Sequence, residues 1–165
     1  VGCNACVLAC KSENALPEDG FRDWIVTETK GTFPNLTQEI RSERCNPPSK
    51  SPCVSACPTG ASHVQEGGTV IVDQRKCTGC KACIAACPYG ARYVHQDGYV
   101  DKCTFCLHRT RKGKPPACVE ICPTSALIFG DTNDPKSEVS KRLLKRRDKI
   151  LKPEAGLEPN VYFLV

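Results

Sequence analysis

At 165 residues with 6% aromatic content, the chain suits one or two small domains but is short of the large apolar side chains that build a deep core. No apolar run approaches the roughly 20 residues of a membrane-spanning helix, which excludes a span within it. The net charge of +5 is local: residues 136–152 carry eight cations against two carboxylates and no aromatic ring on which a base could stack, which argues against nucleic-acid binding and leaves a solvated helix face or a docking patch for an acidic partner.

Fourteen cysteines, far above ordinary usage, fall into four groups along the chain. The first, Cys3-x2-Cys6-x3-Cys10, has Lys11 where the other groups have proline. Aligned on the third group, its leading thiol falls one residue before Val1, so the expectation is a fragment with one ligand and any export signal upstream. Pro17 to Gly20 reads as a turn, and Asp23 to Thr29 has the β-branched and aromatic content of a strand, with Trp24 as core packing. The second group is Cys45 with Cys53-x3-Cys57-Pro58. A short strand, Thr69 to Asp73, leads into the third, Cys77-x2-Cys80-x2-Cys83-x3-Cys87-Pro88.

The fourth group, Cys103-x2-Cys106 and Cys118-x3-Cys122-Pro123, is stretched by eleven residues rich in Lys, Arg, Gly and Pro, which reads as a surface loop. After the last cysteine of three groups comes a matching run: Pro58-Thr59-Gly60-Ala61, Pro88-Tyr89-Gly90-Ala91 and Pro123-Thr124-Ser125-Ala126. The repeat unit is a strand, a cysteine loop, a short helix carrying the last thiol and a return strand. Asp134-Pro135 then predicts the start of a basic helix over about 135–150, with Val139, Leu143 and Ile150 near one face. Pro153 ends it, and Asn160 to Leu164 is a strand-like tail.

Four thiols at the third group's spacing hold iron–sulfur clusters: three line one tight loop, and the fourth, before proline, ligates the other cluster of a pair. One such motif requires a second. A disulfide framework has no reason to place thiols two residues apart four times over, and a zinc site closes with four ligands and needs no further thiol before a proline. A zinc or disulfide-stabilised structural module is the reading from another class, separated by visible absorption with iron and sulfide analysis. His63, His95 and His108 lack the spacing of a metal set. Lys76, Lys81 and Lys102 flank cysteines and would raise nearby potentials, which Asp73 and Asp101 would oppose.

Cys77 to Ala91, Val100 to Cys106, Pro116 to Pro123 and the tail Glu158 to Tyr162 resemble the iron–sulfur electron-transfer subunit of the molybdopterin oxidoreductases of the DMSO reductase superfamily, of the polysulfide and thiosulfate reductase type, over almost the whole chain. The resemblance implies an α+β fold of two ferredoxin-like cluster-binding units with short strands and helices, long loops, and a C-terminal basic helix plus tail. The inner unit is 41–101, the outer unit is 1–40 with 102–134, and the helix and tail are 135–165. It implies electron transfer, without catalysis by the chain itself, between a molybdopterin catalytic subunit and a quinone-reactive integral membrane subunit. Membrane association through those partners, at the periplasmic face, follows from it. A polyferredoxin, or a subunit of a formate- or hydrogenase-linked complex, shares the chemistry with other partners.

Carried over from the family, Cys77, Cys80, Cys83 and Cys57 would hold one [4Fe–4S] cluster, and Cys103, Cys106, Cys118 and Cys10 another. Cys3, Cys6 and Cys122 would hold a third, its fourth ligand before Val1. Cys45, Cys53 and Cys87 would hold the last, where the chain departs from the family: the loop length is kept, but Pro48 stands at the second thiol's position. Proline cannot ligate iron, so a [3Fe–4S] cluster is expected there. The rivals are a fourth [4Fe–4S] cluster completed by Ser49, Ser51 or water, and an empty site.

Overall fold

Helix α1, Ala5–Glu13, starts at Asn4, whose left-handed backbone (φ 60°) a short polar side chain tolerates. Cys6 and Cys10, four residues apart, share its buried face. The helix is one element of a small mixed α/β fold of short strands and helices; the computed structural model describes residues 1–145 and 148–164.

Strands β1, Asp23–Thr32, and β2, Asn35–Arg44, form an antiparallel hairpin in which Asp23 pairs with Arg44 and Thr32 with Asn35. The sequence reading stops the first strand at Thr29 and assigns nothing to its partner, because β2 has no apolar alternation. Charge holds the hairpin instead: Arg41 bonds Glu28 across the strands and Glu39 and Glu43 along its own strand, and Lys30 bonds Glu39 across them. Its tip projects, with Phe33 88% exposed.

Two similar units follow. Helix α2, Pro52–Ser55, leads to the ribbon of β3, Ser62–Val64, and β4, Val70–Val72; helix α3, Ala82–Ala85, leads to that of β5, Tyr93–Val94, and β6, Val100–Asp101. Helix α4, Leu107–Thr110, starts just after Cys106, and α5, Ala117–Glu120, carries Cys118. Helix α2 packs on α3 and α1 on α5, so helices of the second and third cysteine groups meet, as do those of the first and fourth. The core is two buried clusters, one of Cys53, Val70, Cys83 and Val100, the other of Cys45, Ala91 and Cys103 with Trp24 and Phe105 against it.

The insertion between Cys106 and Cys118 is not a free loop. Its helix α4 is tied to α1 through Glu13, which meets Arg109 Nη1 and His108 Nε2, each at 2.7 Å, while Arg109 also bonds Glu120.

The basic helix is shorter than its sequence suggests: α6 is Glu138–Lys145, not 135–150. Ser137 displaces Asp134 as the cap, since Ser137 Oγ accepts the Ser140 amide at 3.1 Å while Asp134 Oδ1 accepts that of Lys136 in a local turn. Beyond the helix, β7, Asp148–Lys149, pairs with β8, Phe163–Leu164, which takes Lys149 out of the helix and gives the tail a ladder partner. Arg146 and Arg147, inside the helix predicted from sequence, lie outside the described residues. Among the described residues, no helix is long and apolar enough to cross a membrane.

Candidate metal centre

All fourteen cysteines are unbridged. A small cavity is lined by Cys57, from the end of the α2 segment, and by Cys77, Cys80 and Cys83 of the third group. The loop reaches this shape because Gly79 (φ 67°) and Lys81 (φ 63°) are left-handed, a conformation that turns successive backbone N–H groups toward one concavity and favours an anion there. A Cβ on Gly79 would lie 2.3 Å from the Gly98 carbonyl oxygen, so no other residue fits. Amides donate to two of the sulfurs: Val100 N–H to Cys77 Sγ at 3.4 Å and Ser62 N–H to Cys57 Sγ at 3.3 Å. Desolvation raises the Cys57 thiol, but hydrogen bonds from the Ser62 amide and the Thr59 hydroxyl, among others, together hold it below its ordinary range.

A second small cavity is lined by Cys10, Cys103, Cys106 and Cys118, with Arg44 and Asp23 on its wall. Phe105 and Cys106 are left-handed here, and the Phe105 amide donates to Cys103 Sγ at 3.4 Å. Burial pushes the Cys118 thiol up to about 11, with Arg44 opposing; Arg44 Nη1 donates to Cys118 Sγ at 3.1 Å. Asp23, 2% exposed, has no hydrogen-bond partner for either side-chain oxygen, and burial raises its pKa against the pull of Arg44.

Cys53 belongs to the first buried cluster, and Cys45 to the second, against which Cys87 packs. Burial pushes the Cys45 thiol up to about 11, with Lys102 and Arg92 pulling it down. Arg92 Nη2 donates to Cys53 Sγ at 2.9 Å and to Ser62 Oγ at 2.8 Å. Pro47 and Pro48 are buried, and the C-terminal tail lies across them: Pro48 bridges Pro159, and Ser49 N–H donates to the Glu158 carbonyl at 3.1 Å. Ser51 is buried, but its hydroxyl donates to the Pro48 carbonyl at 2.9 Å, while Ser49 is exposed.

Buried polar atoms without partners test whether these residues fit a cluster. Apart from the Asp23 oxygens, those found among the described residues are on Asn46, Tyr89 and Arg92, and all three side chains adjoin the Cys45, Cys53 and Cys87 set. An unsatisfied buried donor costs about 1–3 kcal/mol. Asn46 Nδ2, Tyr89 Oη and Arg92 Nη1 are three donors that inorganic sulfide beside thiolates suits as acceptor, while Asn46 Oδ1 is an acceptor that it leaves unmet. The residues fit an iron–sulfur cluster.

The remaining thiols are Cys3, exposed, Cys6, buried, and Cys122 at the end of the α5 segment that packs on α1. Desolvation raises the Cys122 thiol, but the Thr124 hydroxyl and the Leu127 and Ala126 amides together bring it down to about 7. The histidines sit apart: His63 Nδ1 meets the Ala61 carbonyl, His95 stacks on Tyr99 and His108 pairs with Glu13.

Of the charges singled out in the sequence, Lys76 and Lys81 are exposed, whereas Lys102 is 1% exposed and donates to the carbonyls of Val70 and Cys103. Asp101 takes a two-bond contact from Arg22 and a hydrogen bond from Tyr93, so its charge is already matched. Asn14, Arg44, Asn46 and Arg92 escaped the sequence reading. Adjacency to a cysteine was the one signal available, for Arg44 and Asn46; Arg92 and Asn14 had none.

The family model of the 4Fe-4S dicluster domain matches residues 36–132. A tetrathionate reductase subunit from Salmonella typhimurium is 41% identical, covering 99% of this chain and 68% of its own length. A polysulfide reductase chain from Wolinella succinogenes is 42% identical over 99% of this chain and 88% of its own. The arsenate respiratory reductase iron-sulfur subunit ArrB of a Shewanella species is 33% identical over 99% and 91%.

Proposed function

Because the chain belongs to the 4Fe-4S dicluster family of reductase iron–sulfur subunits, which transfer electrons and are not catalysts by themselves, we propose that it carries electrons between a molybdopterin catalytic subunit and a quinone-reactive membrane subunit. The complex is held at the membrane by those partners, on the periplasmic face. The reading assigns one [4Fe–4S] cluster to Cys77, Cys80, Cys83 and Cys57, and a second to Cys103, Cys106, Cys118 and Cys10. Cys3, Cys6 and Cys122 contribute to a third. The cysteine groups divide between an inner unit, 41–101, and an outer unit, 1–40 with 102–134; 135–165 forms the C-terminal segment.

The observation that carries the proposal is the make-up of the two cavities: each draws three thiols from one cysteine group and one from a distant group. Bound clusters supply one-electron, outer-sphere transfer, in which no bond to a substrate forms. The chain's residues do the rest. Thiolates hold the irons, amides of Val100, Ser62 and Phe105 favour charge on sulfur, and the apolar clusters of Val70, Val100 and Ala91 keep water back.

For Cys45, Cys53 and Cys87 the reading is a [3Fe–4S] centre. What supports it is the state of the alternative oxygen ligands: the Ser51 proton is held by the Pro48 carbonyl and Ser49 is exposed beside the tail. Iron and acid-labile sulfide analysis of the purified complex, with EPR of its oxidised state, tests the whole. Clusters with an odd-electron signal when oxidised are expected. A colourless protein containing zinc overturns the function, and four irons at the Pro48 site overturn the trinuclear centre alone.

A further inference from the structure

Two arginines meet cysteine sulfurs in the same way. Arg44 Nη1 donates to Cys118 at 3.1 Å and Arg92 Nη2 to Cys53 at 2.9 Å, and the two thiols occupy matching positions, four residues before the last cysteine of their groups. Each arginine is also anchored on a serine, Ser42 for Arg44 and Ser62 for Arg92. Both cations are buried.

Their counter-charges differ. Arg44 shares its cavity wall with the buried Asp23 carboxyl, which feels its charge. Among the described residues, Arg92 takes part in no ion pair, its Nη1 has no partner, and the nearest groups are the Cys53 and Ser62 side chains and the buried thiol Cys83. The Cys83 thiol, raised by burial, is pulled back by this same guanidinium. An uncompensated cation 2.9 Å from a ligand sulfur favours the reduced, more negative state of whatever cluster that sulfur binds.

We propose that Arg92 is the positioning residue that holds the centre of Cys45, Cys53 and Cys87 at a higher potential than the centre of Cys10, Cys103, Cys106 and Cys118, through a charged hydrogen bond to Cys53 Sγ that no carboxylate offsets. The proposal rests on the iron–sulfur reading above and holds for a trinuclear or a tetranuclear cluster. Arginine stays charged at every working pH, so the effect is independent of pH. The arrangement makes this site the place where an electron rests, with Cys83 of the neighbouring set beside the same guanidinium.

The test is an EPR-monitored redox titration of the assembled complex carrying Arg92→Gln or Arg92→Lys, after iron and sulfide analysis. Absence of iron from the unaltered complex refutes the function and the role of Arg92 with it, whereas iron present with no shift in Arg92→Gln refutes the role of Arg92 alone. The centre is identified by the signal that Pro48→Cys alters. In Arg92→Gln its reduced-to-oxidised ratio at a fixed potential should fall at least tenfold, which is about 59 mV for a one-electron couple. The fall should be equal at pH 6 and pH 8, with the Cys118 centre unmoved. Arg92→Lys, which keeps the charge, should restore most of it. An unmoved centre in Arg92→Gln, or an equal fall in Arg92→Lys, overturns the proposal. If the glutamine variant loses the cluster, the lysine variant decides: a retained potential supports the charge, and a tenfold fall removes it.

Discussion

Asn160 and Pro47 are joined twice: the backbone N–H of Asn160, at 3.2 Å, and its side-chain Nδ2, at 2.9 Å, both donate to the Pro47 carbonyl. The tail thereby closes over the loop in which Pro48 replaces a thiol. Asn160→Ala removes one of the two bonds and should cost about 1 kcal/mol. The effect should be local: on dilution into chelator, EPR should show the Cys45, Cys53 and Cys87 centre lost faster than in the unaltered protein, with the others unchanged.

Pro48→Cys should convert that centre from a signal seen in the oxidised protein to one seen only after reduction, with one further iron bound per chain. Mössbauer spectra before and after the substitution measure this. Pro48 is buried three residues after Cys45, so a sulfur at this position would be buried as well.

Cys57 shares a cavity with Cys77, Cys80 and Cys83, although its own group begins at Cys45. Cys57→Ala should therefore perturb the tetranuclear centre of the third group and spare the one beside Cys53. Loss of the Cys53 signal alone would refute cross-ligation.

Gly79→Ala should be among the most damaging single-methyl changes in the chain, because the new Cβ would stand 2.3 Å from the Gly98 carbonyl oxygen at a backbone φ of 67°. The loop cannot keep both Cys77 and Cys80 in place. Visible absorption should fall by about one cluster's share, and the Gly98→Ala control, which meets nothing within 4 Å but shares a positive φ, should lose much less.

Arg41 binds three carboxylates of the hairpin, and its side-chain bond to Glu28 lowers that carboxyl to about 2. A depressed carboxyl stabilises the fold fully above its ordinary value of 4.5 and loses that contribution as pH falls through about 2, so the linkage is complete at neutral pH. Arg41→Gln at pH 7 should leave Glu28, Glu39 and Glu43 repelling one another. Hydrogen exchange over 26–41 should accelerate, and added salt should partly reverse it.

The cysteine spacing made the chemistry legible, since iron–sulfur ligation imposes its distances on sequence directly. The hairpin partner Asn35–Arg44 was not legible, because its register is held by ion pairs across strands and these leave no periodic apolar trace. The end of the basic helix was misjudged for a related reason: Val139 and Leu143 keep helical spacing, but the ladder between Asp148–Lys149 and Phe163–Leu164 is a long-range contact that local spacing cannot encode. Asn46 and Arg92 stayed invisible because their importance lies in buried atoms without partners.

Lys102 has a meaning that reaches back before the protein is finished. It is 1% exposed, and its ammonium donates to the carbonyl of Val70 in one buried cluster and of Cys103 in the other, with Arg44 and Arg92 also buried nearby. Burying each such cation without an anion costs several kcal/mol. Arg44 has the Asp23 carboxyl beside it, but Lys102 and Arg92 have no carboxylate partner among the described residues, so a newly made chain is expected to close around these two only as thiolates and sulfide bring negative charge inside. Closure is therefore expected to follow cluster delivery, so that a chain made without iron should be cleaved by proteases faster than a loaded one.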